Sequence, residues 1–351
     1  MSTTLEPVTA SIGAPIAHAS EFAPRRFLSN GHLQTILGNF LPRTNSLPAA
    51  EAVQVEVSPA TPTQIASRIR CDCHWQPAEV RSSRPTAIIV HGLEGSSESQ
   101  YVIGNANKLW QAGANVIRMN MRNCGGTEAL TPTLYHSGLS ADVEAVMRHF
   151  VAAHALTSIS LIGYSMGGNL VLKLAGDLGA SAPNVLRSVI GISPAIDLGP
   201  SADALHAPQN RAYEIKFLRA LIARYLRKAA LFPQIYDPSR AKKISSIRQF
   251  DDRITAFYSG FTGADDYYYR AAAARVLDRI AVPALILNAA DDPFLRILPH
   301  SREKIAANPN ITFIETRHGG HCAFLATPSD GYDGYWAEHT LLRFLMSKSA
   351  S

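Results

Sequence analysis

The chain has 351 residues, 46% of them hydrophobic and 17% charged, a balance that suits a globular protein with a large core in one α/β domain carrying an insertion, or in two domains. The net charge of +5 is spread along the chain, not gathered into a basic patch with interleaved aromatics, so no nucleic-acid partner is expected. No run of about 18 apolar residues suggests a membrane span, and Met1 to Pro7 lack the basic start and apolar core of a secretory signal, so a cytoplasmic location is expected.

In chain order, residues 1–50 read as an N-terminal arm with several prolines, a short helix near 31–37 and a mobile first twenty residues. Alternating segments at 53–57 and 65–75 predict two strands. Cys71-Asp72-Cys73-His74 falls in the second and reads as strand with small apolar residues on one face, because the other two cysteines lie far off and offer no metal-ligand spacing. Four cysteines in this length make no disulfide framework, which fits a reducing compartment.

From residue 86 the pattern changes. Ala87 to Val90 is a continuous apolar run, as in a parallel strand covered on both faces. A helix (99–112), strand (115–119), helix (139–154), strand (158–163), helix (167–178) and strand (187–192) follow. This alternation predicts βαβ crossovers and a doubly wound, mostly parallel sheet.

The alternation stops near Asp197 and resumes at Val282. The interval 197–281 reads as a helical lid inserted between two halves of the core, 51–196 and 282–351. Its first helix, 211–230, places Ile215, Leu218, Ile222 and Tyr225 on one stripe and Lys216, Arg219, Arg224, Arg227 and Lys228 elsewhere. That basic amphipathic stretch could make a weak contact with a membrane surface, but its apolar stripe is better used in covering the core. A helix (299–307), a strand (311–315) and a C-terminal helix (333–347) complete the core.

The chemistry is carried by Gly163-Tyr164-Ser165-Met166-Gly167, which fits G-x-S-x-G between an apolar strand and a buried helix. In such a nucleophile elbow the serine occupies a strained turn, and the glycines let backbone pass where a β-carbon would clash. A serine attacks a carbonyl only if a base takes its proton and a carboxylate orients the base. An acidic turn, Asp291-Asp292-Pro293, follows the strand ending at Asn288. A histidine loop, His318-Gly319-Gly320-His321, follows the strand near 311–315.

Spacing does not separate the adjacent candidates in either loop. Asp292 is favoured over Asp291 because the following proline stiffens its loop. His321 is favoured over His318 because the two glycines give it a flexible approach and Phe324 and Leu325 follow into a covered site. The oxyanion of a tetrahedral intermediate needs two N–H donors, assigned to Met166 and to Leu93 in the loop His91 to Ser97. That loop lacks the lysine and glycine spacing of a phosphate cradle. Asp142 reads as a helix cap or first-turn acid, and His136 as structural.

Together these residues resemble the α/β-hydrolase superfamily, and more narrowly the YheT-like bacterial hydrolases with their eukaryotic medium-chain fatty-acyl esterase relatives. The narrower likeness rests on Asn30-Gly31-His32-Leu33-Gln34-Thr35, the His91 loop with Tyr101, and Arg122-Asn123-Cys124-Gly125-Gly126. It continues through Tyr135-His136-Ser137-Gly138, the elbow extended through Gly168 and Asn169, and Asp265-Asp266-Tyr267-Tyr268. The resemblance implies an α/β-hydrolase fold with a helical lid and a Ser165–Asp292–His321 relay. It further implies no cofactor or metal, and hydrolysis of short- to medium-chain carboxylic esters. Transfer of the acyl group to an alcohol on the same triad is the alternative within the chemistry, and a non-catalytic binding shell the alternative outside it. Ala323 stands where such relatives often carry glycine, and its methyl group is expected to narrow the site beside His321.

Overall fold

The computed structural model describes residues 22–349. The expected mobility of the first twenty residues lies outside that range. Helix α1 (Gly31–Phe40) leads into an eight-stranded sheet of spatial order β1-β2-β4-β3-β5-β6-β7-β8. The strands are β1 (Glu51–Ser58), β2 (Ser67–His74), β3 (Thr86–Val90), β4 (Asn115–Met119), β5 (Ile159–Tyr164), β6 (Leu186–Ile192), β7 (Ala284–Ala289) and β8 (Ile311–Thr316). β2 pairs antiparallel with β1 and β4, and β3 to β8 pair in parallel.

Helices α2 (Gln100–Gln111), α3 (Ser140–His154) and α4 (Met166–Leu178) form the crossovers between β3 and β6. Successive residues of β3 feed two apolar layers: Ile88 and Val90 enter one core, Ala87 and Ile89 the other. The period of two in side-chain direction is what divides a doubly covered strand in this way. The chain runs from β3 outward to β4, then crosses to β5 on the other side of β3. The carboxyl ends of β3 and β5 therefore flank the point where strand order reverses, which is where open α/β sheets leave a crevice.

Between β6 and β7 the chain makes α5 (Leu198–His206), α6 (Arg211–Leu231), a helical run over 247–259 with a π-helical turn at Asp251–Ala256, and α7 (Ala264–Ala271). The expectation that the interval begins with the helix at 211 misses α5. Gly199 and Pro200 look like breakers, but both sit in its first turn, where the N–H that proline lacks has no intrahelical partner to lose.

The buried face of α6 is rotated from the predicted stripe. Glu214, Leu218, Leu221, Tyr225 and Lys228 are buried, whereas Ile215 is exposed. Lys228, assigned by sequence to the charged side, is fully buried because Glu128 and Thr131 offer their carbonyls to its ammonium group. Burial lowers its pKa to about 7.

Three further expectations are corrected. In β2, Asp72 and His74 are as buried as Cys71 and Cys73, because Arg70 pairs with Asp72 at 2.7 Å and Arg118 donates to His74 at 3.1 Å. Among the described residues no group of three or more His, Cys, Asp or Glu side chains is placed to hold a metal ion. Of the two readings of Asp142, the first-turn acid holds and the cap does not, because its carboxylate is committed to Arg122 through two 2.6 Å bonds. After helix α8 (Pro299–Ala307), the C-terminal helix α9 (Trp336–Ser349) starts three residues later than predicted. The preceding loop is held open by Ala326 donating to the Gly334 carbonyl and by Lys108 pairing with Asp333 at 2.5 Å.

Candidate active site

Ser165 joins β5 to α4 at φ 54° and ψ −115°, a conformation that a serine adopts only under constraint. The constraint is visible around it. A β-carbon on Gly163 would lie 2.1 Å from the Gly167 carbonyl oxygen, and one on Gly167 would lie 2.4 Å from that of Val90. The turn is tied to β6 because the Ser165 N–H donates to the Ile192 carbonyl at 2.9 Å. Asn169, one turn into α4, is fully buried. It donates to the carbonyls of Ser137 and Ala271, both at 2.9 Å, and accepts from the Ala273 N–H at 2.7 Å, fastening the elbow helix to the inserted helices.

The loop after β3 comes close to the serine. A β-carbon on Gly92 would stand 3.2 Å from that of Ser165 and 3.4 Å from the Tyr101 hydroxyl, so glycine is what fits. The Gly92 N–H donates to that hydroxyl at 2.8 Å. His91 is buried with Nδ1 2.7 Å from the Gly92 carbonyl and Nε2 accepting from the Met121 N–H at 3.1 Å. Burial depresses its pKa to about 4, so it braces the loop as a neutral ring.

Glu94 follows with φ 56°, and its carboxylate accepts from the Tyr135 hydroxyl at 2.5 Å and from Arg224 of α6 at 2.9 Å. Nothing in the local sequence points to this Glu94–Arg224 pair, which joins positions 130 residues apart. Leu93 and Met166 lie with Gly92, Ser165 and His321 in the wall of one cavity of about 770 Å³.

The candidate acid and base come from the other side. Asp292, after β7, is buried. Its Oδ1 accepts from the N–H groups of Phe294 and Leu295 at 3.1 and 2.9 Å, and its Oδ2 lies 2.8 Å from Nδ1 of His321. Asp291 instead accepts from the Gly320 N–H at 2.8 Å, and its nearer histidine is His318 at 3.5 Å. Gly319 and Gly320 do not serve flexibility. Their φ values of 147° and 58°, and the 2.6 Å approach of the Phe324 ring to a β-carbon on Gly319, are conditions that other residues meet poorly.

Helix α1 holds this loop in place. The His321 N–H donates to the Thr35 hydroxyl at 2.8 Å, and Thr35 donates to the Gly31 carbonyl at 2.6 Å. Gln34 pairs with both the N–H and the carbonyl of Leu325 at 2.8 and 3.1 Å. The Phe294 ring packs 4.4 Å from the imidazole. Burial works against a charged His321, but its interactions with Cys322 and with the Asp292 carboxylate outweigh it, and the pKa lies above the ordinary imidazole value.

Ala323, expected to narrow the site, is not in the cavity wall. It faces α1, where a β-carbon on Gly38 would come within 2.4 Å of its own, so its methyl group acts on the seating of the arm. His136 does reach the cavity, as a half-buried ring with Nδ1 accepting from the Gly138 N–H at 3.1 Å. Burial lowers its pKa to about 4 and keeps it neutral. Asp251, in the π-helical turn, also lines the cavity. Its partners are the hydroxyls of Tyr268 and Thr255 at 2.7 and 2.8 Å, and burial raises its pKa to about 6. Sequence reasoning passed over it, because Arg248, Asp252 and Arg253 beside it make it read as one more charge on a solvated helix face.

A strained serine after β5, and a histidine–carboxylate pair after β7 and β8, open on one pocket at the carboxyl end of a parallel sheet. The sequence matches the family of the α/β hydrolase fold over residues 85–328. The chain belongs to the α/β-hydrolase family. Within it the chain falls in the YheT-like branch, being 30% identical over 325 residues to YheT of Escherichia coli, with 91% of each protein covered. It is also 31% identical over 245 residues to the phospholipase ABHD3 of Mus musculus, covering 70% of this chain and 59% of that one. Among solved structures, the esterase Pf2001 of Pyrococcus furiosus is similar in fold, with TM-score 0.52 at 14% identity, 88% of this chain and 99% of the other being covered. Among the described residues no helix of this α/β-hydrolase is long and apolar enough to cross a membrane.

Proposed function

We propose that the protein is a serine carboxylic-ester hydrolase that acts on short- to medium-chain acyl esters through an acyl-enzyme on Ser165. The observation that carries this reading is the 2.8 Å contact of Asp292 with Nδ1 of His321, whose ring lines the same cavity as Ser165. With Nδ1 held by the carboxylate, Nε2 is the nitrogen left to take a proton. His321 removes the Ser165 hydroxyl proton as the oxygen attacks the ester carbonyl. The N–H groups of Leu93 and Met166 receive the oxyanion. As the carbon–oxygen bond to the alcohol breaks, His321 returns the proton to the departing oxygen. A water molecule then gives its proton to His321, attacks the acyl carbon and releases the acid with Ser165 restored.

Asp292 keeps the imidazole in one tautomer and stabilises its cation. The helices of 197–281 act as the lid over the acyl group. An apolar wall built from residues such as Leu134, Phe217, Leu221 and Phe250 favours acyl chains over charged metabolites. Arg224 positions the oxyanion loop through Glu94.

A fluorophosphonate probe should label Ser165, read by peptide mass spectrometry, and Ser165→Ala should lower p-nitrophenyl ester turnover by about 10⁴-fold or more. Unlabelled folded protein with ester turnover unchanged in that variant would end the proposal. Turnover across p-nitrophenyl esters of increasing acyl length reports the depth of the pocket.

A further inference from the structure

Of the ten large apolar side chains exposed among the described residues, seven are Phe27 or lie on α1 and α6, the others being Ile65, Phe257 and Tyr269. Phe27 is 79% exposed, and Leu33, Ile36 and Phe40 are 46%, 44% and 67% exposed. The last three follow one another at helical spacing on α1, on the face opposite buried Gln34, Thr35 and Gly38. The adjoining helix α6 adds exposed Ile215 and Leu226. The two helices touch, since the His32 ring stacks on Tyr213 at 5.8 Å and the Lys216 ammonium lies 5.2 Å from the Phe40 ring centre. Ile36, Phe40 and Lys216 also line the cavity that contains Ser165, so this face borders its mouth.

Charge selects the occupant. Helix α1 contains no acidic residue, and the one acid of α6, Glu214, is buried. Lys216 and Arg219 are exposed on α6, and Arg25 and Arg26 are exposed beside Phe27. A second copy of the chain meeting this face with its own would set cation against cation. An apolar surface flanked by cations, whose two helices expose no carboxylate, is matched by a sheet of anionic headgroups over hydrocarbon.

We propose that the face formed by Phe27, α1 and the outer side of α6 docks the protein on anionic lipid, so that ester substrates enter the cavity from the lipid phase. The docking stands without the ester chemistry; the delivery of substrate rests on the hydrolase reading above. Relative to the expectation of a contact through the inserted helices alone, the arm supplies the apolar part and α6 the charge.

Co-sedimentation of the full chain with vesicles tests this. Binding should be strong to vesicles of phosphatidylcholine and phosphatidylglycerol in equal parts, weak to phosphatidylcholine alone, and weaker in high salt. The variant Phe27→Ser/Leu33→Ser/Arg219→Glu, none of whose positions lines the cavity, should bind about tenfold less or worse. Its hydrolysis of water-soluble p-nitrophenyl acetate should match the wild type, and Phe27→Ser alone should show a smaller loss in case the triple variant folds poorly. No binding to phosphatidylglycerol vesicles at low salt, or equal binding by both variants and wild type, overturns the proposal. So does a wild-type dimer that the variant converts to a monomer without change in vesicle binding. If soluble ester is never turned over while vesicle binding follows the expected pattern, the hydrolase reading fails and the docking survives.

Discussion

Asp292 and His321 lie 2.8 Å apart, while their neighbours Asp291 and His318 lie 3.5 Å apart on the same two loops. Each pair joins the turn after β7 to the turn after β8, and both have the same residue types. They differ in how fully the carboxylate is committed. Asp292 places two backbone N–H groups on one oxygen and the imidazole on the other. Asp291 spends one oxygen on the Gly320 N–H, and its other oxygen, like Nδ1 of His318, makes no hydrogen bond among the described residues. A saturated carboxylate fixes a ring in a single orientation, whereas a half-used one leaves its histidine free to turn. His318 is also absent from the cavity wall, so the looser pair serves the backbone of the histidine loop.

Substitution of the two histidines should separate the pairs most widely. His321→Ala should cost about 10⁴-fold or more in kcat/KM, and His318→Ala only about threefold. Equal losses in the two variants would dissolve the distinction. Asp292→Asn should come next, with a loss of about 10³–10⁴-fold, against a few-fold for Asp291→Asn, whose amide oxygen can still accept from Gly320.

The same aspartate pair sharpens the pH profile. Only the neutral imidazole takes the serine proton, so activity should rise with pH through the His321 pKa, which lies above its ordinary value of 6.5 despite burial. Asp292→Asn removes one of the charges that favour the cation, and its residual activity should rise at lower pH. An acid limb that does not move would show that this carboxylate is not coupled to the base. Thr35→Val should cost less than either substitution in the Asp292–His321 pair, about ten- to a hundredfold in kcat with little change in KM, because it loosens the His321 backbone without touching substrate. A loss confined to KM would point to the cavity wall instead of the loop.

How much of this was legible in the sequence depends on the range of the forces involved. The parallel strands and their crossover helices were readable because doubly buried strands are continuous apolar runs, and the elbow because its glycines answer local clashes. The structure brings Asp292 and His321 together, but the local argument for His321 fails, since Gly319 and Gly320 answer positive φ and close packing, not flexibility. The rotated face of α6 was not readable. Once Lys228 finds two carbonyls and Arg224 finds Glu94, a charged residue packs as an apolar one would, and periodicity reports the wrong side. Asp72 and His74 were misjudged because each owes its burial to an arginine, Arg70 two residues away on the same strand and Arg118 on the adjoining one. Ala323 was placed on the wrong surface because nothing local reveals that α1 leans against it.

The clamp of α1 on the histidine loop has a practical corollary. The family match begins at residue 85, well after Thr35 and Gln34, yet those two side chains hold the backbone around His321 and Leu325. Trimming the gene to the region of recognisable kinship would discard the splint and keep the joint. Anyone producing a shortened version of this protein should expect His321, the proposed base, to be present in the polypeptide but no longer delivered to its post.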